Sequence, residues 1–423
     1  MNAATDRVRQ FIRVRQDSDH QYLAYRPAMD GLLINANQME HHATATTALI
    51  HKLELPYLID PMLWRFQVPS WWLRLDDPTR PTVKVNFRNL ADRYFADTAV
   101  GGAEGGLPTN LADSDWRMIA SNVVAYQNAR VVEQEGPLFA LVDAPTRPLE
   151  IIAPYLLAHD ADEDRINTLL LRAAAEAANR KILACIALPI ERFQTGAHLQ
   201  TIVSAVSSDL AAGCFIWIER LSEAALVQSD THMDTLEWLL DRLSAKDVPV
   251  WQANGGFCSA AMRDWGVTGI AHSLAWRDHG MPAAPATGIP RHSCHTYVTG
   301  LHVSKHYDEA SVLGRPLSSE TYQRLYCNCQ FCVGAWENDQ HPLDLMLQVT
   351  AVKGSRGRTA YVPSEQALAA NTWHYLWSRR LEVLSFDQAS TIDVLMREID
   401  RGVELKGEAA TLRRLARRLR PAS

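Results

Sequence analysis

The chain has 423 residues, 47% of them hydrophobic and 21% charged, with a formal net charge of −6. Such a composition buries a sizeable core, as one large barrel with additions or as two to three ordinary domains. The acidic balance excludes a general polyanion binder working through bulk charge, so any nucleic-acid surface has to be local.

The first residues, MNAATDRVRQFIRVRQDSD, carry charges throughout and no apolar core, so no signal peptide is expected there. No run of about 18 apolar residues predicts a membrane span. The seven cysteines lack the regular spacing of a disulfide framework, and without a signal this predicts a reducing, cytoplasmic setting.

Short, nearly continuous apolar runs then recur: GLLINANQM (31–39), LPYLID (55–60), LEIIAPYLL (149–157), KILACIALPI (181–190), GCFIWIERL (213–221), VPVWQANGG (248–256), VTGIAHSLAW (267–276) and TYVTGLHVS (296–304). They read as buried parallel strands. Amphipathic helical patterns lie between them, around 161–180, 198–212 and 233–247. Strand, helix, strand at this spacing predicts repeated βαβ units, and eight such strands predict an α/β fold of the (β/α)8 TIM-like barrel type. No G-x-G-x-x-G or Walker glycine loop is present, which argues against a dinucleotide or nucleoside-triphosphate site.

The expected organisation is a barrel over 1–290, a metal-binding insertion over 291–362, and C-terminal helices over 363–423 that complete the barrel. Residues 70–136 break the repeat with GGAEGG (101–106) and a helix over 113–134, as expected of an inserted lid or substrate wall. The last helix, TLRRLARRLR (411–420), sets Leu412, Leu415 and Leu419 on one face among five arginines. It reads either as a solvated helix held by its leucines or as a phosphate-contacting basic patch.

Three of the seven cysteines fall in one window, Cys327-Asn-Cys329-Gln-Phe-Cys332. Three thiolates so close can converge on one soft cation, each about 2.3 Å from a tetrahedral Zn2+. A dithiol redox motif needs two cysteines, not three. The fourth ligand is expected from His341 or His374, and a closed Cys3His set makes a structural site rather than a catalytic one.

In such a barrel, function sits at the C-terminal ends of the strands. The polar residues there are Asn35, Asn37 and Gln38, then Asp60, Tyr155, Glu219, Gln252, Asn254, His272 and His302. Asp60, Glu219 and His272 are candidate nucleophile and acid/base groups. Gln252, Asn254 and the backbone amides of Gly255 and Gly256 could match a purine-like edge. Asn37 is a further candidate contact, and Tyr155, Trp217 and Trp251 could stack on a base.

The C-x-C-x-x-C window, the following helical WHYLWSRRLEV, the segment ANGGFCSAAMRDWGVTGIAHSL and the strand LPYLIDP together resemble the tRNA-guanine transglycosylases and their bacterial relatives that insert 7-deazaguanine bases into DNA. The resemblance implies a barrel with a structural zinc closed by His374, and Asp60 as general acid/base. It implies exchange of a guanine-type base in DNA or tRNA for a 7-deazaguanine base. A second copy or a partner subunit is a further expected partner. Two positions depart from the family pattern. Asp60 is followed by Pro-Met-Leu-Trp instead of Ser-Gly-Gly-Phe-Gln, and the family's nucleophilic aspartate aligns with Ala271 or His272. A catalytically silent paralogue that binds nucleic acid, and an unrelated barrel hydrolase or lyase, are the alternative readings.

Overall fold

The computed structural model describes residues 7–14, 23–68, 73–74, 82–100, 107, 110–135, 147–196, 198–273, 294–353, 359–405, 407 and 409–420. Seven strands form one parallel sheet: β1 (Arg9–Arg13), β2 (Gly31–Asn35), β3 (Tyr57–Asp60), β4 (Ile182–Pro189), β5 (Ala211–Glu219), β6 (Val250–Gln252) and β7 (Val267–Ser273). Their order is β3-β2-β1-β7-β6-β5-β4, a TIM-like half-barrel with helices outside.

Alternation along each strand decides the two layers, because successive side chains point to opposite faces. Phe11, Leu33, Leu58, Leu183, Ala187, Phe215, Trp217, Trp251 and Ala271 share one inner cluster. Their neighbours Ile12, Leu32, Ile34, Ile59, Ile186, Ile216 and Ile270 join the larger core beneath the helices. Gly269 is required by this packing. A Cβ there would lie 2.3 Å from the Trp251 ring, so only glycine lets the indole cross the sheet.

Three strand expectations are corrected. Arg9–Arg13 is an interior strand, paired on both sides by β2 and β7, although its RQFIR sequence has only two apolar residues. The predicted strand 296–304 instead forms an antiparallel hairpin, β8 (His295–Val298) with β9 (Val303–His306), outside the barrel sheet. Predicted strand 149–157 makes no regular ladder. It touches both edges of the sheet nonetheless. Leu149 N–H donates to Tyr57 O at 2.8 Å, and Ile152 bridges Leu183 in parallel register.

The described parts of the 70–136 insertion are a short antiparallel pair, Leu73–Arg74 with Thr82–Val83, and outer-layer helices. Asp113–Ala129 buries Trp116, Ile119 and Val123 and packs along Ala161–Ala178. GGAEGG (101–106) and residues 274–276, the end of the predicted seventh strand, lie outside the described residues.

At the C-terminus the long helix Glu365–Gln388 packs on β1 and on the short helix Phe257–Ala261. Thr391–Glu404 follows it, and Ala410–Leu419 ends the fold by burying Leu412, Leu415 and Ala416. Arg414 pairs with Asp230, and Arg418 lies 2.6 Å from Asp234. Those two arginines are therefore matched by acids of the helix Asp230–Ser244. Among the described residues no helix is long and apolar enough to cross a membrane.

Beside the hairpin, buried His302 ties three elements together. Its Nδ1 is 2.7 Å from Glu382 and its Nε2 3.3 Å from Glu398, and Phe257 stacks on its ring at 3.6 Å. It therefore stands outside the barrel mouth. Burial pulls the imidazole pKa down, but the two carboxylates outweigh burial and raise it above 6.5. Burial pushes Glu398 up, yet His302 and Arg401 bring it from 4.5 to about 2. A raised histidine stabilises fully below its unfolded pKa and loses that contribution as pH rises through the folded one. A depressed carboxylate stabilises above its unfolded pKa and loses that contribution as pH falls through about 2. Thermal melts from pH 3 to 9 should therefore peak between roughly 4.5 and 6.5, the two unfolded pKa values. His302→Gln should flatten the alkaline side. An unchanged profile in that variant would remove the pair as the cause.

Candidate active site and metal centre

Cys327, Cys329, Cys332 and His374 come together as the sequence predicts. All four are fully buried, and their ligand atoms lie within 4.8 Å of one another. A π-helical turn, Tyr322–Tyr326, delivers Cys327 in extended conformation. Cys329 then caps the helix Gln330–Glu337, which places Cys332 one turn inside it. The Cys329 N–H donates to Cys327 Sγ at 3.3 Å, a contact that steadies a thiolate.

His374 closes the set from the long helix. Its Nδ1 is 3.4 Å from Cys329 Sγ and 3.3 Å from Cys332 Sγ. Its Nε2 lies 2.7 Å from the Tyr297 carbonyl oxygen. That carbonyl can only accept, so Nε2 carries the proton and Nδ1 keeps its lone pair toward the sulfurs. A zinc tetrahedron has S···N edges of about 3.5 Å, so the spacing fits a four-coordinate ion with no open position. The residues thus form a site that can hold a metal ion. His341 stands apart from the cluster. Its Nδ1 accepts from Leu343 N–H at 3.2 Å, and its ring packs on Trp336 and Tyr322.

The second cluster lies at the C-terminal ends of β1, β2 and β3. Asp60 is 4% exposed and faces the barrel interior. Arg13 Nη1 donates to Asp60 Oδ2 at 2.8 Å and to Asn35 Oδ1 at 2.7 Å. The Tyr155 hydroxyl donates to Asp60 Oδ1 at 2.9 Å, and Met62 N–H donates to the same oxygen at 3.1 Å. Burial and then the Asp60 charge push the Tyr155 phenol well above its usual range, so it stays a donor. The same two causes push up the Cys185 thiol, which shares the cavity. Burial lowers nearby Arg65 to about 10, against the pull of Asp60.

The cavity over this cluster is lined by Arg13, Asp60, Tyr155, Cys185, Trp217 and Trp64, among others. Its free volume is about 20 Å³, room for one water. Trp64 and Trp217 line it side by side, their ring centroids 4.7 Å apart. Met62 enters the covering turn at φ 50°, a strained value for a non-glycine residue.

The other predicted site residues separate by strand parity. Phe11 and Ala271 are register partners and point inward, whereas Ile12 and His272 point outward. His272 packs edge-on against Tyr375 of the long helix, ring centroids 5.5 Å apart, and does not join Asp60. Glu219 shares the parity of Phe215 and Trp217, is 3% exposed at the end of β5, and lies 3.5 Å from Arg220. Trp251 is barrel core, wedged between Phe11 and Phe215 at 4.9 and 5.5 Å. With its amide oriented by hydrogen bonding, Asn254 accepts from Trp217 Nε1 at 3.2 Å, which places it at the cavity rim. Gln252 borders a neighbouring cavity with Glu223 and Ser259.

The two glycine amides are already engaged. Gly255 N–H donates to Ala271 O at 3.2 Å, and Gly256 N–H donates to Glu223 Oε1 at 2.6 Å. Asn37 sits in the first turn of the helix Ala36–His41, away from the cavity lining. Sequence reasoning missed Arg13. Its available signal was an arginine two residues beyond Phe11, in phase with the inward face.

No family model matches this chain, and no curated protein matches it. Among solved structures, one that matches is the 3-dehydroquinate dehydratase of Enterococcus faecalis, at 11% identity and TM-score 0.29. The match covers 63% of this chain and 88% of that one. A likeness that weak carries no inference about activity.

Proposed function

We propose that the protein is a transglycosylase-like enzyme that exchanges a guanine-type base in DNA or tRNA for a 7-deazaguanine base, with zinc as a structural staple. The observation that carries this reading is Asp60, an inward carboxylate at a strand C-terminus, combined with a Cys3His set closed by the following long helix. Asp60 acts on the departing and entering base, and Glu219 is the second carboxylate near the mouth. Three thiolates and one imidazole favour zinc over harder cations. The sheet closes as an eight-stranded barrel with 149–153 in the gap, a reading supported by its contacts to β3 and β4. A base enters when Trp64 swings off Trp217.

A catalytically silent paralogue is the second reading. It is favoured by Ala271, which occupies the inward position where the resembled family has its nucleophile. The Asp60–Arg13 pair favours it too. Purified protein incubated with radiolabelled guanine or 7-deazaguanine and with tRNA or duplex DNA separates the two. Label incorporated into one polymer is the expected result. Salt-dependent binding without incorporation would instead select the silent scaffold. Neither binding nor incorporation would leave a small-molecule barrel enzyme.

A further inference from the structure

The donors in the barrel mouth are unevenly used. Asp60 accepts three hydrogen bonds, from Arg13, Tyr155 and Met62. Three of about four acceptor positions of that carboxylate are taken, which leaves one for the base. Arg13 is the opposite case. Nη1 spends its two protons on Asp60 and Asn35, while Nε and Nη2 have no partner among the described residues. The side chain is 10% exposed and lines the cavity. A buried guanidinium with three N–H donors beyond those two bonds therefore lines this space, held in place by two neighbouring strand ends. Tyr155 and Cys185 stay neutral there, so neither competes for the cation.

A guanidinium offers Nε and Nη2 as a planar fork, which suits two acceptors side by side. On guanine those acceptors are O6 and N7. A 7-deazaguanine has carbon in place of N7 and offers only one. We infer that Arg13, positioned by Asp60 and Asn35, contacts the substrate base and grips the O6/N7 edge of guanine, distinguishing the departing base from the incoming one. This rests on the base-exchange reading above. The base reaches the fork once Trp64 leaves Trp217, since the cavity as it stands has room for only about one water.

Equilibrium dialysis of metal-loaded protein with radiolabelled guanine, competed by unlabelled guanine or 7-deazaguanine, tests it. The unmodified protein should prefer guanine by about tenfold or more, the usual discrimination of a two-acceptor contact. Arg13→Lys keeps the charge beside Asp60 but loses the fork, and should bring the two affinities together. Thermal melting checks that the variant is folded, and the ratio on unmodified protein is decisive even if it is not. Guanine binding with no preference, or a preference that survives Arg13→Lys, overturns the role of Arg13 and leaves the base-exchange reading standing. No guanine binding at all overturns the base-exchange reading, and this inference with it.

Discussion

Purified protein should carry about one zinc per chain, and stripping it should unfold the lobe around residues 295–347. The core of that lobe is built on the ligands themselves. Cys327, Cys329 and Cys332 pack with Val298, Tyr322, Leu325, Tyr326, Leu343 and Met346. Binding of structural zinc to such sets is worth roughly 10–16 kcal/mol at neutral pH, more than the whole stability of a small domain. Without a cation, burial pushes the Cys332 thiol well up, so that sulfur keeps its proton in the empty cluster. Cys329→Ser and His374→Ala should each lose the metal and the cooperative melt of the lobe. His341→Ala should keep the metal, since its ring caps the helix Pro342–Met346 and packs on Trp336 and Tyr322 without joining the cluster. Elemental analysis with chelator-dependent melting reads both. Retained zinc in His374→Ala alongside lost zinc in His341→Ala would reverse the assignment.

Asp60→Asn should lower activity about a hundredfold or more and cost about 3–5 kcal/mol of stability, because it leaves the buried Arg13 charge without its partner. The two effects have separate origins. Asparagine still accepts from Met62 N–H, so the turn after β3 survives. The charge that offsets Arg13 does not. Arg13→Gln combined with Asp60→Asn removes both charges and should regain much of the lost stability while activity stays low. Denaturant melts and the base-incorporation assay measure the two separately. Full activity in Asp60→Asn would reduce Asp60 to a turn-capping residue, the other role its Oδ1 already performs.

Sequence alone determined the parts that rest on local pattern. The apolar runs at 31–39, 55–60, 181–190, 213–221, 248–256 and 267–276 each contain a strand of the parallel sheet, because burial on both faces demands unbroken apolar sequence. The three cysteines were legible for a similar reason. Only three residues, Asn328, Gln330 and Phe331, separate them, so their sulfurs come together whatever the rest of the chain does.

The tertiary structure decided what depends on long-range neighbours. Arg9–Arg13 became an interior strand because its two arginines do not both need solvent: Arg13 is offset by Asp60, 47 residues away. Residues 296–304 satisfied the same apolar pattern but turn back at Thr299–Leu301 and pair as a hairpin. Parity separated His272 from Ala271, and with it the expected catalytic histidine from the barrel interior. Trp251 and the amides of Gly255 and Gly256, read as base contacts, were taken up by core packing and by Ala271 and Glu223. Strand-end position is visible in a sequence. Which face a residue takes, and which partner already holds its donors, is set by register and by chain segments far away.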